Sequence, residues 1–170
     1  IAPSFLTQVI AVSPPVDLYS SVLMLGHPDN SIYERFFFKM LRADVLYRHK
    51  KFKDLPRVHI PRNLKLYEFD QLYTAPTCGF RNVHDYYTRC SSAQFVPDIA
   101  IPCKILLAED DPIISCHSLD GIALPSNVDM LMHGFRDSMA IDMVDHFNKW
   151  GGDTSSWNDE ITDMMDWVSQ

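Results

Sequence analysis

Positive charge is in short supply in this sequence: 15 Lys and Arg are outnumbered by 22 Asp and Glu, for a formal charge of −7 over 170 residues. The electrostatic footprint of a nucleic-acid binder is missing, so nucleic acid is not an expected partner. No apolar run approaches the roughly 18 to 20 residues needed to cross a bilayer. The first residues also lack the charged start and apolar centre of a secretory signal. Membrane association would therefore rest on segments outside this chain. Cysteine is sparse and dispersed: Cys78, Cys90, Cys103 and Cys116 form no Cys-x-x-Cys pair, which argues against zinc ribbons and redox motifs. Reduced thiols in a cytoplasmic setting are the expectation, because a chain of this size builds a core without disulfide staples. There is no internal repeat, low-complexity tract or glycine-rich phosphate loop. His27, His49, His59, His84 and His117 are scattered without metal-ligand spacing, and no cofactor is expected.

What is present is an ordinary globular composition, 46% hydrophobic, within the size of one domain. Its most informative stretch is Lys104-Ile-Leu-Leu-Ala-Glu-Asp-Asp-Pro-Ile-Ile114, an apolar run that stops at carboxylates and a proline. Ile105 to Ala108 leave no polar face, as in a parallel strand covered on both sides. Pro112 cannot extend a ladder, so the strand ends in an acidic turn. Carboxyl ends of such strands are where α/β sheets keep their ligand crevices. Gln8 to Val12 reads as a second buried strand, closed by Ser13-Pro14-Pro15, and Val128 to Met132 as a third, running into His133-Gly134-Phe135.

Between the first two strands the pattern turns helical. Asp17 opens a short helix that Gly26-His27-Pro28 ends. Ser31 with Glu34 forms a capping-box signature, and Ile32, Phe36, Phe37, Met40, Leu41 and Leu46 follow at helical spacing as the predicted inward face. Its aromatic residues, including Tyr33 and Phe38, are expected to pack against neighbouring elements. Arg48, His49, Lys50, Lys51 and Lys53 crowd its end, where the helix dipole favours cations. Leu64 to Tyr73 resumes a helical pattern with Leu66, Phe69 and Leu72 inward, Thr74 to Gly79 reads as a loop, and Asn82 caps a helix through Cys90. A loose helical piece is expected around Ser115 to Ile122. Further helices are expected over 136–150 and after Thr154. Met130, Met132, Met139 and Met143 are read as core fillers, although an acyl-binding wall would use the same residues.

This much helix exceeds the single crossover a βαβ unit requires, so residues 18–95 are expected to form a cap insertion and 96–170 the remaining strands and helices. Two successive strands then end in Asp111 and His133. That is how a carboxylate orients an imidazole so that its other nitrogen withdraws a proton from a nucleophile. Asp110 is the alternative acid. The order Ser, Asp, His belongs to α/β-hydrolases, whose serine sits on a Gly-x-Ser-x-Gly elbow, and no serine here is so flanked.

Several runs carry a resemblance: Tyr67-Glu-Phe-Asp70-Gln-Leu-Tyr-Thr-Ala75, Cys78-Gly79-Phe80, His84-Asp85-Tyr86-Tyr87-Thr-Arg-Cys90-Ser91-Ser92-Ala93, and Leu107-Ala-Glu-Asp-Asp-Pro112. Together with Ser13-Pro-Pro-Val-Asp17-Leu18 they resemble YheT-type α/β-hydrolases, a family related to the eukaryotic α/β-hydrolase-domain lipases, from about Val9 to Val128. The resemblance implies an α/β fold of parallel strands with an inserted helical cap. It further implies a serine hydrolase of carboxylic esters acting on a small-molecule ester or lipid-like substrate. Asp111 falls on the family's triad acid. The histidine departs: the family's Gly-Gly-His-x-Gly-Phe motif is here Met132-His133-Gly134-Phe135, which makes His133 the candidate and His146, nearer the family's spacing to Trp157, the competitor. By the same resemblance the nucleophile, its oxyanion donors and the first strands would precede Ile1, so the chain is expected to be a carboxyl-terminal half that needs its missing amino-terminal half. A non-catalytic binding or scaffold module with a decayed histidine motif stays open as the second reading.

Overall fold

The computed structural model describes residues 6–134. They fall into two compact units, one holding residues 6–14 and 94–134, the other Pro15–Ala93. The first unit is built on three parallel strands in the order β1 (Val9–Val12), β2 (Cys103–Ala108), β3 (Val128–His133). Val9 pairs with Cys103 and Val12 with Leu106, while Cys103 pairs with Val128 and Ala108 with His133. The central strand takes the deepest burial: Ile105, Leu106, Leu107 and Ala108 are all at most 2% exposed. Its continuous apolar sequence is what a strand needs when both faces are covered. Asn127 fixes the approach to the sheet by donating its side-chain amide to the carbonyls of Ile99 (2.9 Å) and Ile101 (2.7 Å). Lys104 and Asp129, opposite each other in the register, add an ion pair at 3.8 Å.

β3 is different. Met130 and Met132 are 37% and 43% exposed, so neither fills the core as expected; among the described residues β3 has a partner on one side only. Met139, Met143 and the helices expected over 136–150 and after Thr154 lie outside the described residues. The helical piece expected around Ser115 to Ile122 is instead a run of four-residue turns, with the amides of Ser118, Asp120 and Ile122 donating to the carbonyls of Ser115, His117 and Leu119. Ser115 Oγ accepts the His117 amide, a local bond that competes with helix, and Gly121 takes a positive φ of 79°.

The second unit is helical. Helix α1 (Leu18–Leu25) is capped by Asp17, whose carboxylate accepts the Tyr19 amide at 3.0 Å and bonds the Ser20 hydroxyl. A 3₁₀ turn, Pro28–Asn30, leads into α2 (Ser31–Lys51), the longest helix described. The expected capping box is absent: Asn30 is the cap residue, Ser31 is already helical, and the Glu34 carboxylate accepts the Leu66 amide at 3.3 Å. A tertiary partner has taken the group that would have closed the box. The inward face of α2 is also not the predicted one. Phe38, Val45 and His49 are buried, whereas Ile32 is 77% and Met40 54% exposed, with Phe36, Phe37, Leu41 and Leu46 exposed as well. Residues 38, 45 and 49 do share one side of a helix, but apolar residues lie all round α2, so the period alone did not single that side out.

Helix α3 (Leu66–Phe69) runs into a π-helical turn, Asp70–Thr74, and then α4 (Ala75–Thr77). Leu66 and Phe69 are buried as expected, Leu72 is exposed, and Thr74 to Thr77 is helical rather than loop. Pro76 supplies no amide to the ladder, and the wider turn absorbs that gap: the Ala75 amide reaches back to the Asp70 carbonyl. Helix α5 (Val83–Cys90) begins at Asn82, whose side chain accepts the Asp85 amide at 2.9 Å. The unit closes on itself where it began: the Ala93 amide donates to the Val16 carbonyl (3.0 Å) and the Leu18 amide to Ser91 Oγ (3.0 Å). A 3₁₀ stretch, Ser92–Asp98, returns the chain towards β2.

Candidate active site

Parallel pairing brings the carboxyl ends of β1, β2 and β3 to one edge of the sheet. At the first, Ser13 adopts a left-handed φ of 42° and donates its amide to the Leu106 carbonyl at 2.9 Å. A serine in that region is uncommon and bears local strain. At the second, the ladder runs one bond past β2: the Glu109 amide donates to the His133 carbonyl at 2.8 Å. The chain then turns through Asp110, which is exposed, and Asp111, which is half-buried. One oxygen of Asp111, Oδ1, accepts the amides of Ile113 (2.8 Å) and Ile114 (2.9 Å). This local capping is what a short carboxylate before proline does well, because it satisfies donors that the broken ladder leaves open. The other oxygen, Oδ2, accepts no hydrogen bond from a described residue.

His133 is the last residue of β3 and is half-buried, with Nε2 closed off from solvent. The structure thus sets the backbones of the candidate acid and base on neighbouring strand ends, but no hydrogen bond joins the Asp111 carboxylate to the His133 ring among the described residues. His146 lies outside them. Among the described residues no cluster of three or more His, Cys, Asp or Glu could hold a metal, and no helix is long and apolar enough to cross a membrane. All four cysteines are free thiols; burial raises the pKa of Cys103 above its ordinary value.

Sequence reasoning assigned no role to a second polar pairing, in the helical unit. The Tyr87 hydroxyl donates to Asp70 Oδ2 at 2.7 Å, tying α5 to the π-helical turn. Tyr87 is 3% exposed, and its burial, reinforced by the bond to the Asp70 carboxylate, pushes its pKa far above the ordinary 10.0. Tyr19, Tyr67 and Tyr86 surround it with ring centroids 5.2 to 6.3 Å away. The signal lay in the spacing of Asp70 and Tyr87, which only the fold brings together.

No family model matches the chain, and no solved structure matches it. Curated relatives do. A monoacylglycerol lipase of Saccharomyces cerevisiae is 32% identical over 115 residues, which is 62% of this chain and 25% of the relative. The YheT esterase of Escherichia coli is 30% identical over 112 residues, 62% of this chain and 32% of the relative. A phospholipase of Bos taurus, ABHD3, is 29% identical over 73 residues, 43% of this chain and 18% of its own length. The match to the first two covers about a quarter to a third of their length. Parallel strands joined through helices agree with an α/β fold, and over 62% of its length the chain is similar to the yeast lipase and to YheT.

Proposed function

We propose that this chain is the carboxyl-terminal part of a serine hydrolase of carboxylic esters, with Asp111 as triad acid, His133 as base and a nucleophilic serine supplied by sequence outside the chain. The supporting observation is the register that sets Ala108 beside His133 and carries Asp111 to the same sheet edge. In this reading His133 takes the proton of the serine hydroxyl as its oxygen attacks the ester carbonyl. The tetrahedral intermediate collapses, the C–O bond to the alcohol breaks, and the imidazolium returns the proton to the leaving alkoxide. Water then repeats the sequence on the acyl-enzyme, releasing a carboxylic acid and regenerating the serine. Asp111 stabilises the imidazolium through Oδ2 and fixes the ring tautomer. Relatives named as lipases and esterases support an ester or lipid-like substrate. The helical unit is the cap insertion of such a fold, residues 18–95, and 96–170 complete the sheet side. The setting is cytoplasmic, which the free thiols support.

A serine-directed fluorophosphonate probe tests the reading on the full-length protein. The intact protein labels, and Asp111→Asn slows labelling by about 10⁴-fold, the scale lost when a triad acid no longer holds its histidine. Failure of the folded full-length protein to label overturns it. One observation favours a second reading: Asp111 Oδ1 is committed to its own turn, and no hydrogen bond joins its carboxylate to His133. A non-catalytic module with this fold would lose nothing on His133→Ala, whereas the enzyme would lose labelling.

A further inference from the structure

The helical unit contains a cavity of about 990 Å³ between α2 and the segment that leads into α3. Its lining is unusual for a chain of net charge −7. Arg35, Lys39 and Arg42 recur at spacings of four and three, which puts them on one face of α2, and all three line the cavity. The segment before α3 adds Arg62 and Lys65. Two carboxylates share the space, Glu34 and Glu68, and each is turned to a backbone amide, that of Leu66 (3.3 Å) and that of Lys65 (2.8 Å).

No ion pair joins these cations to either carboxylate, and five positive charges against two negative leave the lining net positive. Arg42 Nε donates to the Ile60 carbonyl and Lys65 Nζ to the Gly26 carbonyl, both at 3.1 Å, and a carbonyl cancels no charge. Arg35, Lys39 and Arg62 make no hydrogen bond or ion pair with any described residue. Like charges gathered round one cavity repel, and an anion placed among them relieves that repulsion and gains charge-assisted hydrogen bonds. Three of the five cations are arginines, whose planar forks match the oxygens of phosphate. The cavity is much larger than a phosphate ion and falls in the size range of organic ligand sites. Leu46, on the same helix face and 44% exposed, offers apolar surface to the remainder of such a molecule.

We infer that this cavity binds a phosphate group, either as free phosphate or as the head of a phosphate ester with an apolar remainder. Neither Asp111 nor His133 lines this cavity, and the test reads binding alone, so the inference stands or falls independently of ester hydrolysis. The full-length protein is titrated calorimetrically with inorganic phosphate, with dodecyl phosphate below its critical micelle concentration, and with dodecanoate. Dodecyl phosphate binding more tightly than inorganic phosphate identifies an esterified head; equal binding identifies free phosphate. Arg35→Gln and Arg62→Gln, both at exposed positions, each weaken phosphate binding about tenfold. Glu34→Gln, which keeps an acceptor for the Leu66 amide while removing a negative charge, strengthens it by a few-fold. Circular dichroism checks that each variant stays folded. Absence of binding by either phosphate ligand at millimolar concentration, dodecanoate binding as tightly as dodecyl phosphate, or arginine variants that bind unchanged would each overturn the inference.

Discussion

Strand β2 and helix α2 are both rich in apolar side chains, yet one hides them and the other displays them. In β2 the four residues from Ile105 to Ala108 are essentially inaccessible, whereas α2 exposes Ile32, Phe36, Met40 and Leu41 and turns Arg35, Lys39 and Arg42 to a cavity. Sequence hydrophobicity therefore means different things in the two elements. A central parallel strand has two covered faces and nowhere to place an exposed side chain. A helix has a full circumference, and which side is covered is decided by its neighbours.

That contrast is open to measurement, and the largest effect belongs to β2. Leu106→Ala removes a side chain that is 0% exposed, and urea unfolding is expected to show a loss of about 2–5 kcal/mol. A loss below about 1 kcal/mol would mean that β2 is not the centre of the core.

Tyr87→Phe comes next, since it leaves Asp70 without its buried donor; the expected cost is about 1–3 kcal/mol at neutral pH. The same residue sets a pH dependence. Its pKa is raised in the folded state, so the folded protein holds the proton where the unfolded chain releases it. The associated stability is complete below pH 10 and declines as pH rises above the ordinary 10.0 towards the folded value. Tyr87→Phe should flatten that alkaline decline, and an unchanged slope would assign it to another group.

His49 sharpens the comparison within α2. It is 6% exposed, and its Nε2 finds no partner among the described residues. Replacing it by leucine removes an unsatisfied buried atom and is expected to stabilise by about 1 kcal/mol. Destabilisation of that size would show that the ring's packing beside Tyr73 outweighs the orphaned nitrogen. The smallest effect is expected on the outer side of the same helix, where Ile32→Ala should change stability by less than about 0.5 kcal/mol. A large loss there would mean that something covers this face.

The elements legible in the sequence were those whose causes are local. The Asp17 and Asn82 caps and the strands closed before Pro14 and Pro112 follow from neighbouring residues and appear as expected, and the β2 and β3 ends lie side by side in parallel register. What was missed depends on distant partners. The Glu34 carboxylate left its capping box for the Leu66 amide, and the inward face of α2 was chosen by what packs on Phe38 and Val45. The π-helical turn before Pro76 came from a proline that the helix absorbed rather than stopped at. At the candidate site the strand ends were readable, but the use of Asp111 Oδ1 in capping Ile113 and Ile114 was not, because a carboxylate before proline serves a turn as readily as a histidine.

The bonds that join Ala93 to Val16 and Ser91 to Leu18 bear on how the chain reaches its native state. Val9 must find Cys103 across the whole helical insertion, a non-local closure that costs chain entropy before its contacts form. Once the insertion has collapsed with its two ends tied, that search shrinks to the short segments flanking the knot. The insertion thus has adjoining entry and exit points, and helices assembled first would lower the cost of β1 docking.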